Sequence, residues 1–252
     1  MEEKNKIEPI NFYEELLNSK KNFNRNEFHF INSFRQLLSP EFPTSFRVKN
    51  TPFFSLSQYF QYCKAKTFED EETAEKLLKM SDGMENWTNL KNEIIGEKPT
   101  AINLFCHGEI ITRDLLMDAE HSESWVREHK KIKELGQQVK NFNPYIWKYY
   151  REKFLKRGII ENMAQNNKIL IDLYKTNGKI IVLSDNDSGD WGVKLKTNDD
   201  NIINPNSWNE KNLIGKILTN YREEYSLMLK KENKPDPIQV ENSKNRNRMR
   251  RF

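Results

Sequence analysis

The stretch from Leu135 to Arg222 constrains this chain most, because it and its flanks dictate an order of elements. A short helix ends near Gly136. Asn143-Pro144 is an N-cap followed by a proline suited to a first helical turn, opening a helix with Ile146, Trp147, Tyr150 and Phe154. A further helix follows Gly158, carrying Ile160, Met163, Ile169, Leu170 and Leu173, and stops at Asn177-Gly178. Lys179-Ile180-Ile181-Val182-Leu183 is the clearest strand in the chain. It feeds a polar loop, Asp187-Ser188-Gly189-Asp190-Trp191-Gly192. A second polar segment with Trp208 leads to an amphipathic helix through Leu213, Ile214, Ile217, Leu218, Tyr221 and Tyr225. One strand among several helices predicts an α+β fold that is predominantly α-helical, with few short strands.

The two loop tryptophans raise the question of function. A tryptophan in a Gly/Asn/Asp-rich loop is either a lid over a core or a wall of a ligand pocket. Acids and amides beside it favour a pocket that stacks a flat polar group such as a nucleobase.

Upstream, residues to Asn22 read as a polar entry helix around Phe12, Tyr13, Leu16 and Leu17. Phe28 to Phe54, rich in aromatics and prolines, suits short strands and turns. Ser55 to Thr67 is a helix with Leu56, Phe60 and Cys63 on one face and Gln58, Gln61, Tyr62 and Ala65 on the other. Asp70 caps another helix with Ala74, Leu77 and Leu78. Ser81 to Lys130 reads as an elaboration, with a short strand within Ala101–Ile111. The expected organisation is an N-terminal extension over 1–27, a single domain over 28–230 with its elaboration at 81–130, and a linker and disordered basic tail over 231–252.

Charge sharpens the last point. The chain carries +4, yet Lys244 to Phe252 hold five bases and no acid, and removing those five from +4 leaves −1 for the rest. Such a tail either contacts phosphate backbones or is a solvated terminus. A mean hydropathy of −0.88 and no apolar run near the ~20 residues of a membrane span exclude a helical membrane protein. The N-terminus lacks the apolar core of a signal peptide, and the two cysteines, Cys63 and Cys106, are far apart. An intracellular protein, cytoplasmic or nuclear, with reduced thiols is expected.

Several chemistries are excluded. Asp185 to Asp190 begins like a calcium loop, but its glycine comes one place early and Lys196 stands where a closing glutamate belongs. Cys106-His107 and His121/His129 lack zinc spacing, so no metal is expected. Cys63 lies on an apolar helix face, which points to packing. Nine glycines in the whole chain leave little material for a phosphate loop.

The helix Ser55-Leu56-Ser57-Gln58-Tyr59-Phe60-Gln61-Tyr62-Cys63-Lys64-Ala65, with Phe53 before it and Thr67-Phe68-Glu69-Asp70 after it, resembles the signature helix of the NADAR family. That family includes N-glycosidases acting on ribosyl and ADP-ribosyl linkages. The likeness continues in order through Leu135-Gly136, Val139, Phe142 and Trp147, then Arg157-Gly158 and Gln165-Asn166. It ends with Trp191-Gly192, Trp208, Asn212-Leu213, Gly215, Leu218 and Arg222-Glu223. It covers roughly Phe28 to Tyr225, interrupted by the elaboration.

The resemblance implies a pocket for a ribosylated or ADP-ribosylated small molecule or nucleic-acid base, with no organic cofactor. Trp147, Trp191, Gly192, Asn212 and Arg222 would bind it. The family's catalytic glutamate matches Gln58, leaving Asp187 or Asp190 as the remaining acid. Further family positions differ: Gln137 stands for an arginine, Asn162 for a lysine, Ser188 for an aspartate, and Lys194 near a glycine. Cleaving an N-glycosidic bond builds positive charge at the anomeric carbon, which a carboxylate stabilises while accepting a proton from water. A glutamine does neither, and losing a general base costs about 10²–10⁴-fold. An amide still hydrogen-bonds a ribose hydroxyl. The chain is thus either an N-glycosidase or a silent relative that binds such ligands or a protein. A third reading docks nucleic acid through the tail at 244–252. For several residues a structural role competes. Gln58 fits a capping box with Ser55, Trp147 fits a core, Asn212 fits a helix cap, and Arg222 fits a surface ion pair.

Overall fold

The computed structural model describes residues 11–80, 119–184, 191–208 and 212–249. It is an α+β structure in which helices dominate and the strands are few and short. No described helix is long and apolar enough to cross a membrane. The chain divides into two compact units, Ser33–Leu173 and Met1–Asn32 with Tyr174–Phe252.

The unit Ser33–Leu173 is built around one helix. A hairpin of β2 (Phe46–Val48) and β3 (Thr51–Phe53) pairs antiparallel, and its turn residue Lys49 has φ 55. It leads into α2 (Leu56–Thr67), whose N-cap Ser55 accepts from the Gln58 backbone N–H at 3.1 Å. α3 (Glu71–Lys79) starts on the N-cap Asp70, as its sequence predicts. α4 (Ala119–Gln137) and α5 (Pro144–Gln165) complete the unit, and α2 packs against α3, α4 and α5. Packing on three sides explains why Gln58 and Ala65, placed by periodicity on a second face, are buried along with Leu56, Phe60 and Cys63.

Two boundaries differ from the sequence expectation. α5 runs unbroken through Gly158, because that glycine is a contact point. A Cβ there would lie 2.5 Å from Tyr59 Cδ1 and 2.7 Å from Leu56 Cδ1, so its absence lets α5 approach α2. The break falls instead at Asn166, before α6 (Asn167–Lys175) carries the chain into the other unit. The helix expected to be short before Gly136 spans 19 residues and begins inside the segment read as an elaboration. The strand expected within Ala101–Ile111 lies outside the described residues.

The other unit centres on β4 (Ile180–Leu183), which pairs in parallel with β1 (Phe28–Ile31) in the register Phe28↔Ile180 to Ile31↔Leu183. All four β4 residues are buried, as an apolar run without alternation requires. Gly178, with φ 74, makes the turn that precedes it. Phe28, Ile180 and Val182 form a core with Tyr13, Val193 and Ile202, against which Leu16, Leu17, Phe30 and Trp208 pack. α7 (Leu213–Lys231) packs on β4.

The described part of the expected N-terminal extension contributes to this core. α1 (Phe12–Asn18) buries Tyr13 in this core, and the Tyr13 backbone N–H donates to Asn220 Oδ1 at 2.8 Å. The region read as a disordered tail also carries structure. After a short linker, α8 runs from Pro237 to Met249. Pro237 ends the preceding linker and serves as a compatible first-turn residue, so the proline starts a helix here.

Candidate functional site

In the unit Ser33–Leu173, the decisive side chain is Gln58, 2% exposed in the first turn of α2. Its Oε1 accepts the Phe54 backbone N–H at 2.8 Å, and its Nε2 donates to the Leu77 carbonyl at 2.8 Å. Only half of the predicted capping box exists. Ser55 caps the Gln58 N–H, but the Gln58 side chain ties the end of β3 to α3 instead of returning to Ser55. The amide is needed as an amide, since one end must accept and the other must donate.

The next motif amides behave alike. Gln165 Oε1 accepts the Arg47 N–H and its Nε2 donates to the Arg47 carbonyl, both at 2.8 Å. It imitates a neighbouring strand along β2. Asn166 Nδ2 donates to the Ser45 carbonyl at 3.0 Å and to Asn162 Oδ1 at 2.9 Å, while Thr44 Oγ1 donates to Asn162 Oδ1 at 3.1 Å. Asn162, at the family's lysine position, is thus occupied in holding the 44–45 segment. Gln137, at the arginine position, is exposed.

Trp147 belongs to an aromatic core. Its ring lies 4.8 Å from Phe60 and 6.1 Å, nearly parallel, from Phe154. With both neighbours in place it packs as core, the structural role that its spacing also allowed. Gly136 is another contact glycine, where a Cβ would fall 2.1 Å from Gln61 Oε1. The Gly136 carbonyl accepts from Lys64 Nζ at 2.7 Å. Burial pushes the Cys63 thiol up to about 12, so it stays protonated at neutral pH and is no nucleophile.

In the unit around β4, Asn212 and Arg222 are likewise hydrogen-bonded within the fold. Asn212 is fully buried with φ 46, the left-handed conformation that asparagine tolerates. It makes no side-chain cap. Its Oδ1 accepts the Leu183 N–H at 3.1 Å, and its Nδ2 donates to the Ile181 carbonyl at 2.8 Å and to Tyr13 Oη at 2.9 Å. The side chain completes the edge of β4 opposite β1, where unpaired backbone groups would otherwise be buried. Gly215 makes this possible, because a Cβ there would sit 1.9 Å from the Ile181 carbonyl oxygen.

Arg222, also 0% exposed, donates hydrogen bonds from all three of its guanidinium nitrogens. Nη1 donates to Thr176 O at 2.6 Å and Thr176 Oγ1 at 2.7 Å, Nη2 to Lys179 O at 2.9 Å, and Nε and Nη2 each lie 2.8 Å from Glu223 Oε1. It organises the turn into β4. Burial lowers its pKa, and Glu223 opposes that shift. In this arrangement the side chains of both Asn212 and Arg222 are hydrogen-bonded within the fold.

The tryptophan loops divide. Trp208 is a lid, with Nε1 donating to Ile202 O at 3.0 Å and its ring edge-on to Phe28 at 6.2 Å. Trp191 is half-buried and Gly192 is buried, directly after the Asp/Ser loop. Val193 returns to the strand end, its N–H donating to Leu183 O at 2.8 Å. Trp191 is therefore carried at the C-terminal end of β4, where ligands collect in α/β structures. Asp187 and Asp190 lie outside the described residues. Among the described residues, no group of three or more His, Cys, Asp or Glu side chains converges to hold a metal.

Sequence reasoning missed the tie from Tyr13 to Asn212, whose partners are 199 residues apart, and the tie from Asp70 Oδ2 to the Lys140 N–H at 2.8 Å. It read Asp70 as a cap alone. Nothing local signals either partner.

In each unit the motif side chains hold the fold: amides and contact glycines around α2 in one, and an asparagine, a contact glycine and an arginine around β4 in the other. Residues 102–226 match the NADAR domain family, so the chain carries a NADAR domain over that span. The signature helix α2 precedes the matched residues. An N-glycosidase of Acanthamoeba polyphaga mimivirus is 37% identical over 94 residues, which are 37% of this chain and 55% of that protein. The protein irg-1 of Caenorhabditis elegans is 23% identical over 181 residues, 72% of this chain and 65% of its own length. The chain thus spans about half to two thirds of the curated relatives it matches.

Proposed function

We propose that this NADAR protein recognises a ribosyl or ADP-ribosyl N-linked base, and that it does so as a binding relative of N-glycosidases whose hydrolysis is silenced or much weakened. One observation carries this reading. The side chain at the position of the expected catalytic carboxylate is a neutral amide, buried and hydrogen-bonded at both ends to Phe54 and Leu77. It has no basicity to accept a proton from water and cannot offset charge at an anomeric carbon. Trp191 supplies the stacking surface for the base. The same reading places the protein inside the cell, in line with the buried thiol of Cys63.

A second reading keeps the enzyme active through Asp187 or Asp190, and the likeness to a protein named N-glycosidase favours it. Two measurements separate them. Calorimetric titration with ADP-ribose should show binding that weakens about tenfold in Trp191→Ala, the size of one lost base–aromatic stack. Base release from ADP-ribosylated DNA and from small N-ribosides should stay near background. Robust wild-type release that Asp187→Asn or Asp190→Asn abolishes would establish the active reading. Absence of ADP-ribose and N-riboside binding would refute both.

A further inference from the structure

The first half of α5 presents a feature that no part of the proposed pocket uses. Tyr145 is 84% exposed and Tyr149 64%, and Phe142, Ile146 and Tyr150 are each at least 40% exposed. Three exposed tyrosines on one helix need an explanation. Tyr145 and Tyr149 are four residues apart, which places their rings on one face about 6 Å apart along the axis. Lys153 and Lys156 continue the same face. Lys153 Nζ lies 4.2 Å from the Tyr149 ring centroid and 5.9 Å from that of Tyr150, and the two tyrosine rings meet edge-to-face at 4.9 Å. The side chains are therefore grouped, with the cation beside the rings.

The charge of this segment selects the occupant. Lys140 to Arg157 contains six bases and one acid, Glu152, for a net +5. The tail at 244–252 holds another +5, so within a chain of +4 everything else sums to −6. Part of the segment's charge is answered within the protein, by Glu72 at Lys140 and by Glu161 at Arg157, and Arg151, Glu152 and Lys156 also make contacts of their own. Lys148, Lys153 and Lys156 are exposed, and Lys153 lies beside the tyrosine rings. An acidic protein would need only the charge, and an apolar partner would need only the rings. Cations interleaved with open aromatic faces match a strand that offers phosphates and unstacked bases together.

We propose that the Tyr145–Tyr149–Lys153–Lys156 face of α5 binds single-stranded nucleic acid, with bases stacking on the tyrosines and phosphates meeting the lysines. A duplex offers no unstacked base to these rings and binds only through charge. The inference does not rest on the ADP-ribose reading, since no residue of this face is assigned to that pocket.

The test is fluorescence anisotropy on the full-length chain with a labelled single-stranded oligonucleotide of mixed sequence and its duplex, across a salt series. Binding to the single strand should exceed that to the duplex. It should fall at least tenfold in Tyr145→Ala/Tyr149→Ala, consistent with base–aromatic stacking. It should fall, with a shallower salt slope, in Lys153→Gln/Lys156→Gln. A tail variant with Lys244, Arg246, Arg248, Arg250 and Arg251 changed to Gln should retain the preference for single strands. Because the tyrosines are exposed, both α5 variants should keep wild-type melting temperatures and ADP-ribose binding. The proposal is overturned by no binding, by binding indifferent to the tyrosine changes, by binding that vanishes only with the tail, or by tyrosine-dependent self-association without oligonucleotide binding.

Discussion

Replacing Gln58 by glutamate restores the family's carboxylate in name, and its effect on stability follows from two hydrogen bonds. An ionised carboxylate can still accept the Phe54 N–H, but it cannot donate to the Leu77 carbonyl, which now lies against it at the 2.8 Å of the lost bond. A protonated carboxyl meets both needs. The fold therefore favours the neutral acid, and burial pushes the same way. A glutamate buried like this reaches a pKa of about 8–9, against about 4.3 when unfolded. Its folded pKa is raised, so the variant loses stability as pH climbs through the unfolded pKa and stops losing it above the folded one. At about 1.36 kcal/mol per pH unit, the loss is near zero below pH ~4, about 3.7 kcal/mol at pH 7, and flat above pH ~9. For a chain of this size that is a melting decrease of about 7–15 °C at pH 7. Gln58→Met, similar in volume, should instead lose about 2–4 kcal/mol at every pH by orphaning both backbone groups. Thermal melts of the three proteins from pH 4 to pH 9 test this. A Gln58→Glu protein as stable as the wild type at pH 7, or one whose deficit ignores pH, would sink the argument. It would also show that the site can host an ionised carboxylate, reopening residue 58 as a catalytic position.

Gly215→Ala should destabilise by about 3 kcal/mol in urea titration, because its Cβ meets the Ile181 carbonyl oxygen at 1.9 Å. Gly178→Ala, with open space around it but φ 74, should lose only about 1–2 kcal/mol, so equal losses would mean the close approach is unimportant. Arg222→Lys should lose about 3 kcal/mol or more despite keeping the charge, since one ammonium cannot reach Thr176, Lys179 and Glu223 together; a loss under 1 kcal/mol would contradict this three-way engagement. In a Cys106→Ser background, Cys63, with its thiol raised to about 12 by burial, should react with iodoacetamide at pH 8 only as fast as the protein opens. Rapid alkylation of the native protein would show that the thiol is accessible.

Most elements are legible in the sequence because their signals are local. Ser55, Asp70 and Asn143 each cap a helix, satisfying backbone donors two or three residues away. The apolar run at 180–183 lies between a glycine turn and a polar loop, and it is a strand. The likeness of the ordered motif blocks to the NADAR family holds for the same reason, since order and spacing are properties of the chain. Roles are another matter. Gly158 resembles a helix stop until Tyr59 is seen against it, and Pro237 resembles the end of order until a helix follows it.

The motif side chains show the limit most plainly. The sequence specified an amide at 58, an asparagine at 212 and an arginine at 222, and with them the chemistry those groups can perform. Only tertiary structure decided which partner each would meet. Gln58 reaches a carbonyl 19 residues away, Arg222 one 46 residues away and Asn212 a phenol 199 residues away. A hydrogen bond is decided by geometry within about 3 Å. Chain order carries donors and acceptors but not that geometry, so whether a polar residue binds a ligand or holds the frame is settled when the core closes around it.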